Sequence, residues 1–150
     1  MADPRHGLDE AENRTQDGPA AGGFVSLIGL QLDELSSQRA AGSLVVEEKH
    51  LQPFGLVHGG VYAAIAETLA SLGAAMAVRE RHGDQTVVGL ENHTSFLRAA
   101  RAGERIVAEA VPRHAGRRVQ QWAVTMRGTS DPRELATSTV RLLVVSPSEV

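Results

Sequence analysis

One carboxylate stands in a long apolar stretch of the chain. The run from His58 to Val78 reads HGGVYAAIAETLASLGAAMAV, and Glu67 is its only acidic residue. An unpaired charge among apolar side chains costs several kcal/mol, so such a group is usually paired, protonated or functional. We therefore interpret Glu67 as a candidate functional residue. The alternative is a surface carboxylate on a helix that is merely rich in alanine.

The start of this run has the features of a site for an anion or a carbonyl oxygen. Gly59 and Gly60 lack side chains that would obstruct an approaching group, and a helix N-terminus presents unpaired N–H groups and a partial positive charge. Together they suit a developing oxyanion, although the glycines are equally compatible with a tight turn into the helix. For His58, a hydrogen-bonded structural role such as capping the helix is favoured over orientation of a reacting group.

The spacing along the helix separates these groups. Seven residues from Gly60 to Glu67 correspond to a rise of about 10 Å, which is too far for one small reacting group to contact both within a subunit. A loop or a partner chain must therefore complete the site. Ser71, four residues beyond Glu67, is placed to bond to it, to water, to substrate or to its backbone carbonyl. Gln52, in the preceding loop, is a candidate donor to the carbonyl, with a solvated side chain as the alternative.

A second group of polar residues lies in the segment from Arg113 to Arg118, which reads RHAGRR. Three arginines around a glycine suit phosphate groups, because a guanidinium donates two parallel hydrogen bonds; a solvated turn is the alternative. The six histidines show no metal-ligand spacing, so we predict no metal site. Neither a G-x-S-x-G motif nor a phosphate-binding P-loop motif is present.

A long helix must carry the first group of residues. Alanines and leucines are strong helix formers and the run contains no proline, which predicts a helix from Gly59 or Gly60 to about Arg81. At about 100° per residue, one apolar stripe is formed by Val61, Ile65, Leu69, Leu72 and Met76. The opposite face, which includes Glu67, is small rather than polar, so we expect a helix that is buried on most of its sides.

Strands are expected before and after the helix. Alternating or β-branched residues predict strands at 28–35, 43–47, 86–97, 104–113, 119–127 and 135–145, with a bulge at Gly89. Short turns join the last four, so we expect them to form an antiparallel meander. The predicted fold class is therefore α+β. One face of an antiparallel sheet wraps around the helix, and the other face meets water or a second subunit.

Composition and charge limit the kinds of partner. Of 150 residues, 42% are apolar and the formal net charge is −3, which fits one globular domain and gives no basic field for nucleic acid or an anionic membrane. Cysteine is absent, which excludes disulfides and thiol nucleophiles. Without the pattern of a signal peptide or a membrane span, we expect a cytoplasmic protein. We also expect a disordered tail at 1–23, one domain at 24–146 and a short tail at 147–150.

Several segments together resemble one known family. The run QPFGLVHGGVYAAIAETLASLGAA, the later segments VVGLEN and NHTSFLRAA, and the segment HAGRRVQQWAV are similar to the hotdog-fold acyl-CoA thioesterases of the PaaI-like group. The resemblance extends from about Phe24 to Val145. It is strongest to the branch with Glu rather than Asp on the helix, which includes hydroxybenzoyl-CoA thioesterases and dihydroxynaphthoyl-CoA hydrolases.

This resemblance implies a sheet curled around one long helix and a homodimer whose sheets join edge to edge, often paired again into a homotetramer. The sites of the family lie at the dimer interface, so that the helix start of one chain faces the carboxylate of the other. Glu67 is implied to be the catalytic carboxylate, acting as nucleophile or as general base. Gly59 is implied to donate its backbone N–H to the thioester oxygen, with Gly60 as a second donor.

The resemblance also implies roles for the remaining polar candidates. Gln52 corresponds to a glutamine that assists at the carbonyl, and His58 corresponds to the histidine of the HGG motif. Ser71 corresponds to a Ser or Thr that positions water or substrate. Arg117 and Arg118 are implied to contact the phosphates of CoA.

Phe96 departs from the family pattern, because relatives can carry a polar residue there, which makes it a candidate residue of the acyl pocket. The resemblance implies hydrolysis of an acyl-CoA thioester, with an aromatic acyl group, to the free acid and CoA. No cofactor is implied, since CoA is part of the substrate. The alternative is a non-catalytic acyl-CoA-binding domain, which is disfavoured because Glu67, Gln52 and Ser71 are all retained.

Overall fold

The computed structural model describes residues 22–150, so the predicted tail at 1–23 lies outside the described residues except for Gly22 and Gly23. This part of the chain contains the helices α1 (Gly23–Ile28) and α2 (Gly59–His82). Its strands are β1 (Gln31–Leu35), β2 (Ala40–Val45), β3 (Thr86–Phe96), β4 (Arg105–Ala115), β5 (Val119–Gly128) and β6 (Glu134–Val145). Short 3₁₀ turns lie at Glu48–His50 and at Pro147–Glu149, the second within the predicted C-terminal tail.

The strands form one antiparallel sheet in the order β1-β2-β4-β5-β6-β3, and α2 lies against every strand of it. The predicted fold class, an antiparallel sheet around one long helix, is therefore confirmed. The predicted meander of the last four strands is wrong for β3, which pairs with β6 and lies at the edge of the sheet. The physical reason is that β2 and β5 occupy both edges of β4, so β4 has no edge left for β3.

Helix α2 contacts the sheet largely through small residues. Its buried positions are Tyr62, Ile65, Ala66, Leu69, Ala70, Gly73, Ala74, Ala77 and Val78. Of the predicted apolar stripe, Ile65 and Leu69 are fully buried. Val61, Leu72 and Met76 are only half-buried. The core-facing stripe is thus rotated toward the alanines, because small side chains let the helix approach the sheet closely. By length and composition α2 could span a membrane, but half of its apolar window is buried in the fold.

One close approach of helix and sheet occurs at Gly73. A Cβ atom there would lie 2.5 Å from Cη2 of Trp122, on β5. Trp122 is fully buried, and its Nε1 donates a hydrogen bond of 2.9 Å to Oε1 of buried Gln120. The glycine is therefore required for the indole ring to lie against the helix.

The loop that leads into α2 is anchored by a buried histidine. Nδ1 of His50 accepts a 2.8 Å hydrogen bond from the Glu47 N–H, so its Nε2 carries the proton and donates to the Ile28 carbonyl at 2.8 Å. The His50 carbonyl accepts the His58 N–H at 2.9 Å. This residue joins the end of α1 to the start of α2 and so fixes the loop that carries Gln52.

Candidate active site

The carboxylate of Glu67 lies against β3, the edge strand of the sheet. Nδ2 of Asn92 donates hydrogen bonds of 3.0 Å to Oε2 of Glu67 and 3.0 Å to the Ala63 carbonyl. Gly89 leaves room for the other oxygen, since a Cβ at this position would lie 2.5 Å from Oε1. The predicted bulge at Gly89 is confirmed by a shift in the β3–β6 register between Gly89 and Glu91. Glu67 is therefore half-buried, with specific neighbours around both of its oxygens.

The sequence does not single out Asn92, yet its amide belongs to a chain of hydrogen bonds between β3 and β6. Oδ1 of Asn92 accepts from Oγ1 of Thr94 at 2.7 Å, and that hydroxyl bonds to Oγ of Ser138 at 2.8 Å. The signal that could identify Asn92 and Thr94 is their position. Alternate strand residues share a face, and polar side chains on a face that covers a helix need partners.

His58 caps the start of α2, as predicted. Its Nδ1 accepts a 2.9 Å hydrogen bond from the Gly60 N–H. That N–H is therefore already engaged. The Gly59 N–H donates to no group in residues 22–150, which leaves it for an incoming oxygen. Of the two glycines, Gly59 is thus the better candidate for an oxyanion site.

A pocket of about 340 Å³ opens beside Gly59. Its walls are formed by Gln52, Leu56, Val57, Gly59, Tyr62, Phe96, Leu97, Arg98 and Ala99. Phe96 lies over the glycine, because a Cβ on Gly59 would be 2.6 Å from Cζ of the ring. Oε1 of Gln52 accepts a hydrogen bond from the Phe54 N–H, which leaves the NH₂ group of Gln52 as the available donor. The structure thus brings Gln52, Gly59 and Phe96 together at the helix start.

Tyr62 is the buried aromatic residue of this pocket. It is 2% exposed, and its ring centroid lies 6.1 Å from that of Phe96 at an interplanar angle of 35°. Its hydroxyl makes no hydrogen bond in the described part of the chain. Burial raises the pKa of Tyr62 above its usual value of 10.0, and the negative charge of Glu104 adds to this rise. The backbone of Ala100 lies close to the hydroxyl, outside hydrogen-bonding geometry, and lowers the pKa in part.

Ser71 lies one helical turn beyond Glu67 and is half-buried. Its side chain makes no hydrogen bond within residues 22–150, so the alternative of a bond to the Glu67 carbonyl is not observed. The neighbouring Thr68 does bond back to its helix, with Oγ1 2.8 Å from the Ala64 carbonyl. The Ser71 hydroxyl is therefore left to bind water or substrate on the same side of α2 as Glu67.

Arg117 and Arg118 lie at the opposite end of α2. They are exposed residues of the turn between β4 and β5. Nη1 of Arg81, near the end of α2, donates a 2.9 Å hydrogen bond to the carbonyl of Ala115, the last residue of β4 before this turn. With residues 82, 85, 143–145 and 149, Arg117 and Arg118 line a depression of about 550 Å³. Since the 24 residues of α2 span about 36 Å, the two arginines cannot contact a group bound at Gly59 of the same chain.

A single chain therefore does not assemble the predicted residues into one site. They form three groups along α2: Gln52, His58, Gly59, Gly60 and Phe96 at its start, Glu67 and Ser71 in its middle, and Arg117 and Arg118 near its end. Glu67 follows Gly59 by eight positions along the helix, which corresponds to a rise of about 12 Å. Within residues 22–150, His, Asp and Glu side chains form no cluster that could hold a metal ion.

Comparison with known proteins identifies the family. Residues 54–134 match the family model described as the thioesterase superfamily. The Mycobacterium tuberculosis protein Rv1847 is 44% identical over 120 residues, which cover 79% of this chain and 84% of that protein. The solved structure of Rv1847/MT1895 has a TM-score of 0.77 and 40% identity, and the match covers 82% of this chain and 96% of that chain.

Two relatives with named activities are also similar. The 1,4-dihydroxy-2-naphthoyl-CoA thioesterase 2 of Arabidopsis thaliana is 42% identical over 102 residues, which cover 68% of this chain and 62% of that protein. The proofreading thioesterase EntH of Cronobacter turicensis is 34% identical over 122 residues, which cover 81% of this chain and 83% of that protein. The chain belongs to the thioesterase superfamily, has its hotdog fold and is a thioester hydrolase, which confirms the resemblance seen in the motifs.

Proposed function

We propose that the protein hydrolyses an acyl-CoA thioester with an aromatic acyl group to the free acid and CoA. The observation that carries the proposal is the carboxylate of Glu67, fixed by Asn92 in the middle of the central helix. The similarity to a 1,4-dihydroxy-2-naphthoyl-CoA thioesterase supports both the CoA thioester and the aromatic acyl group. The reaction consumes only thioester and water, so we propose that it needs no cofactor.

The groups at the start of α2 and the carboxylate of Glu67 have separate roles in the proposed reaction. The thioester oxygen accepts from the Gly59 N–H, with the Gln52 amide as a second donor; one such donor stabilises the developing oxyanion by about 3 kcal/mol. Glu67 takes a proton from water as the water oxygen adds to the carbonyl carbon, or adds to that carbon itself. The C–S bond then breaks and the CoA thiolate leaves; where Glu67 itself has added, water then hydrolyses the resulting anhydride, which releases the acid and restores the carboxylate. Ser71 positions the water.

The remaining candidates bind the two ends of the substrate. Phe96 and Tyr62 offer aromatic faces next to Gly59, which suit a planar acyl group. The exposed guanidinium groups of Arg117 and Arg118 border a depression that is open to solvent and suit the phosphates of CoA. Because they lie far from Gly59 of their own chain, we propose that they bind a CoA whose thioester lies at Gly59 of a second chain.

The rise of about 12 Å from Gly59 to Glu67 along α2 supports a site that is shared between two chains. Within residues 22–150 the outer edge of strand β3 is unpaired, and its exposed residues include the apolar Val88 and Leu90. A long, apolar edge strand is a template for pairing with another chain. We propose a homodimer in which two β3 strands pair, so that the helix start of one protomer faces the Glu67 carboxylate of the other, with pairs of dimers as the larger assembly.

The role of Glu67 is tested by replacing the carboxylate with the isosteric amide. Glu67→Gln should lower kcat by on the order of 10²–10⁴, the usual contribution of a general base. Thiol release is measured on benzoyl, hydroxybenzoyl, phenylacetyl, naphthoyl, short aliphatic and long aliphatic CoA thioesters. Glu134→Gln is the matched control, because Glu134 forms an exposed ion pair with Arg127, and it should keep the wild-type rate.

Three results would count against parts of the proposal. Near-normal hydrolysis by Glu67→Gln would refute the role of Glu67. Aliphatic thioesters that react as fast as aryl thioesters would refute the aromatic acyl group but not the hydrolysis. Wild-type protein that binds CoA thioesters without releasing thiol would favour a non-catalytic acyl-CoA-binding domain.

A further inference from the structure

We infer that Asn92 is a positioning residue for Glu67 and is itself held in place by Thr94 and Ser138. The inference rests on the proposed role of Glu67 and adds a residue to which no sequence motif assigned a task. Asn92 does not line the pocket beside Gly59. It acts through the carboxylate that it contacts.

The surroundings of the Asn92 amide permit one orientation. Its Nδ2 lies 3.0 Å from the Glu67 carboxylate and 3.0 Å from the Ala63 carbonyl, two groups that can only accept. Its Oδ1 lies 2.7 Å from the hydroxyl of Thr94, which donates. A flipped amide would place its oxygen against two other oxygens, so only the observed orientation satisfies all three contacts.

Strand β6 in turn orients Thr94. Oγ1 of Thr94 lies 2.8 Å from Oγ of Ser138, the residue directly opposite in the β3–β6 register. Because the Thr94 proton is used toward Asn92, Ser138 donates to Thr94. Ser138 is 5% exposed, whereas Thr94 and Asn92 are half-buried, and hydrogen bonds that are linked in a chain away from bulk water strengthen one another. The pairing of β3 with β6 therefore sets the position of the Asn92 amide.

The Asn92 contacts distinguish the two oxygens of Glu67. Oε2 accepts from Asn92, whereas Oε1 lies above Gly89, where the bulged strand has no side chain. The second Asn92 bond goes to the Ala63 carbonyl, one helical turn before Glu67, so the amide ties the carboxylate to its own helix. Oε1 is thus the oxygen presented for proton transfer or attack, and Asn92 limits rotation of the carboxylate.

Asn92→Leu tests the inference because it keeps the side-chain size and removes both hydrogen-bond donors. We expect kcat for thioester hydrolysis to fall on the order of 10–100-fold with little change in KM, since a misplaced carboxylate leaves substrate binding intact. The deciding readout is a double-mutant cycle. In a Glu67→Gln background, where the carboxylate is already lost, Asn92→Leu should lower the residual rate no further.

A second pair of variants tests the support of the amide. Thr94→Val removes the hydroxyl that orients Asn92 and should give a smaller loss of kcat. Thr139→Val makes the same chemical change one residue beyond Ser138, on the outer face of β6, and should keep the wild-type kcat. Trp122 fluorescence verifies that each variant is folded, because the chain has one tryptophan.

The outcomes separate this inference from the proposed function. A folded Asn92→Leu protein with kcat within about twofold of wild type would overturn the inference, and so would equal losses with and without the Glu67 carboxylate. If Asn92→Leu does not fold, a selective loss in Thr94→Val supports the inference and equal rates for Thr94→Val and Thr139→Val overturn it. If Glu67→Gln keeps the wild-type rate, the proposed role of Glu67 is overturned, and the inference with it, whereas the hydrolysis itself stands.

Discussion

Tyr62 buries a hydroxyl group that has no hydrogen-bond partner in residues 22–150. A buried polar group without a partner costs about 1–3 kcal/mol of stability. The aromatic ring, by contrast, is packed against Phe96 and lines the pocket beside Gly59. At this residue the ring therefore stabilises the fold while the hydroxyl destabilises it.

Tyr62→Phe should consequently leave the free energy of unfolding at neutral pH unchanged or raise it by about 1 kcal/mol. The pH dependence should differ as well. Burial raises the pKa of Tyr62 in the folded protein, so the folded state holds the proton more tightly. The contribution of this tighter proton binding to the free energy of unfolding is fully present below about pH 10, the ordinary pKa of tyrosine in the unfolded chain. It is lost as the pH rises through the pKa of Tyr62 in the folded protein.

Urea unfolding at about pH 8 and about pH 11 measures this effect in wild type and Tyr62→Phe. Wild type should lose more stability than the variant over this range. An absorbance titration of the phenol reports Tyr62 alone, because the chain has one tyrosine. The same loss in both proteins would show that the hydroxyl of Tyr62 is hydrated rather than buried.

At the residue scale, the sequence singles out candidate site residues more readily than it predicts their contacts. Glu67, Gly59 and His58 can be singled out because their chemistry is visible within one apolar helix. Asn92 cannot, because it lies 25 residues from Glu67 and the contact depends on the register of β3. The sequence favours His58 as a cap, but which of the two glycine N–H groups it engages depends on its side-chain rotamer.

Among the elements, α2 and β5 show how closely the helix and sheet are packed. Gly73 is a helix residue, and the indole ring of Trp122 occupies the space that a side chain at this position would fill. Glycine in the middle of a helix ordinarily costs about 1 kcal/mol relative to alanine. The packing of the ring must offset this cost.

Gly73→Ala should therefore destabilise the protein by roughly 1–3 kcal/mol, although alanine is the better helix former. The physical reason is the 2.5 Å distance between the added Cβ and Cη2 of Trp122. Urea unfolding, followed by Trp122 fluorescence or circular dichroism, measures the change.

Trp122→Phe provides the control, because phenylalanine lacks the outer ring atoms that meet position 73. In the Trp122→Phe background, Gly73→Ala should cost less than it does in wild type. Additive effects of the two substitutions would contradict the contact as the cause of the loss.

At the element scale, local patterns predict where elements lie better than which neighbours they choose. The predicted helix from Gly59 or Gly60 to Arg81 agrees with the observed Gly59–His82. The predicted meander was wrong for β3, and of the apolar stripe only Ile65 and Leu69 are fully buried, because strand pairing and helix orientation both depend on tertiary contacts. The indole ring of Trp122 selects a small helix face, and β2 removes the edge of β4 that β3 would otherwise use.

For the whole molecule, the central fact is that one chain separates its candidate oxyanion donor from its carboxylate. The rise from Gly59 to Glu67 is about 12 Å along a rigid helix. The unpaired edge of β3 lies beside the Glu67 half of the site. The proposed dimer would unite the two halves without any change in the fold of either chain.

Mixing two inactive variants tests this arrangement. Glu67→Gln removes the carboxylate and Gln52→Ala removes a donor at the helix start, so each homodimer lacks one half of both sites. A mixed dimer contains one site with both substitutions and one with neither. After unfolding and refolding together, equal amounts should regain about a quarter of wild-type activity, since about half of the dimers are mixed.

Refolding each variant alone is the control for the mixing experiment and should give no recovery. A mixture that stays at the mean of the two separate activities would show that each site is complete within one chain. Light scattering of the wild type gives the number of chains per particle, and a monomer would exclude the proposed dimer.

The unpaired edge of β3 also bears on how activity arises in time. In a dimer built on that edge, a newly made chain is inert toward thioesters until it meets a second folded copy. At low expression the rate of hydrolysis would then grow with the square of chain concentration. A chain in which β3 is misfolded could not pair. Dimerisation would therefore serve as quality control, because misfolded chains would remain inactive.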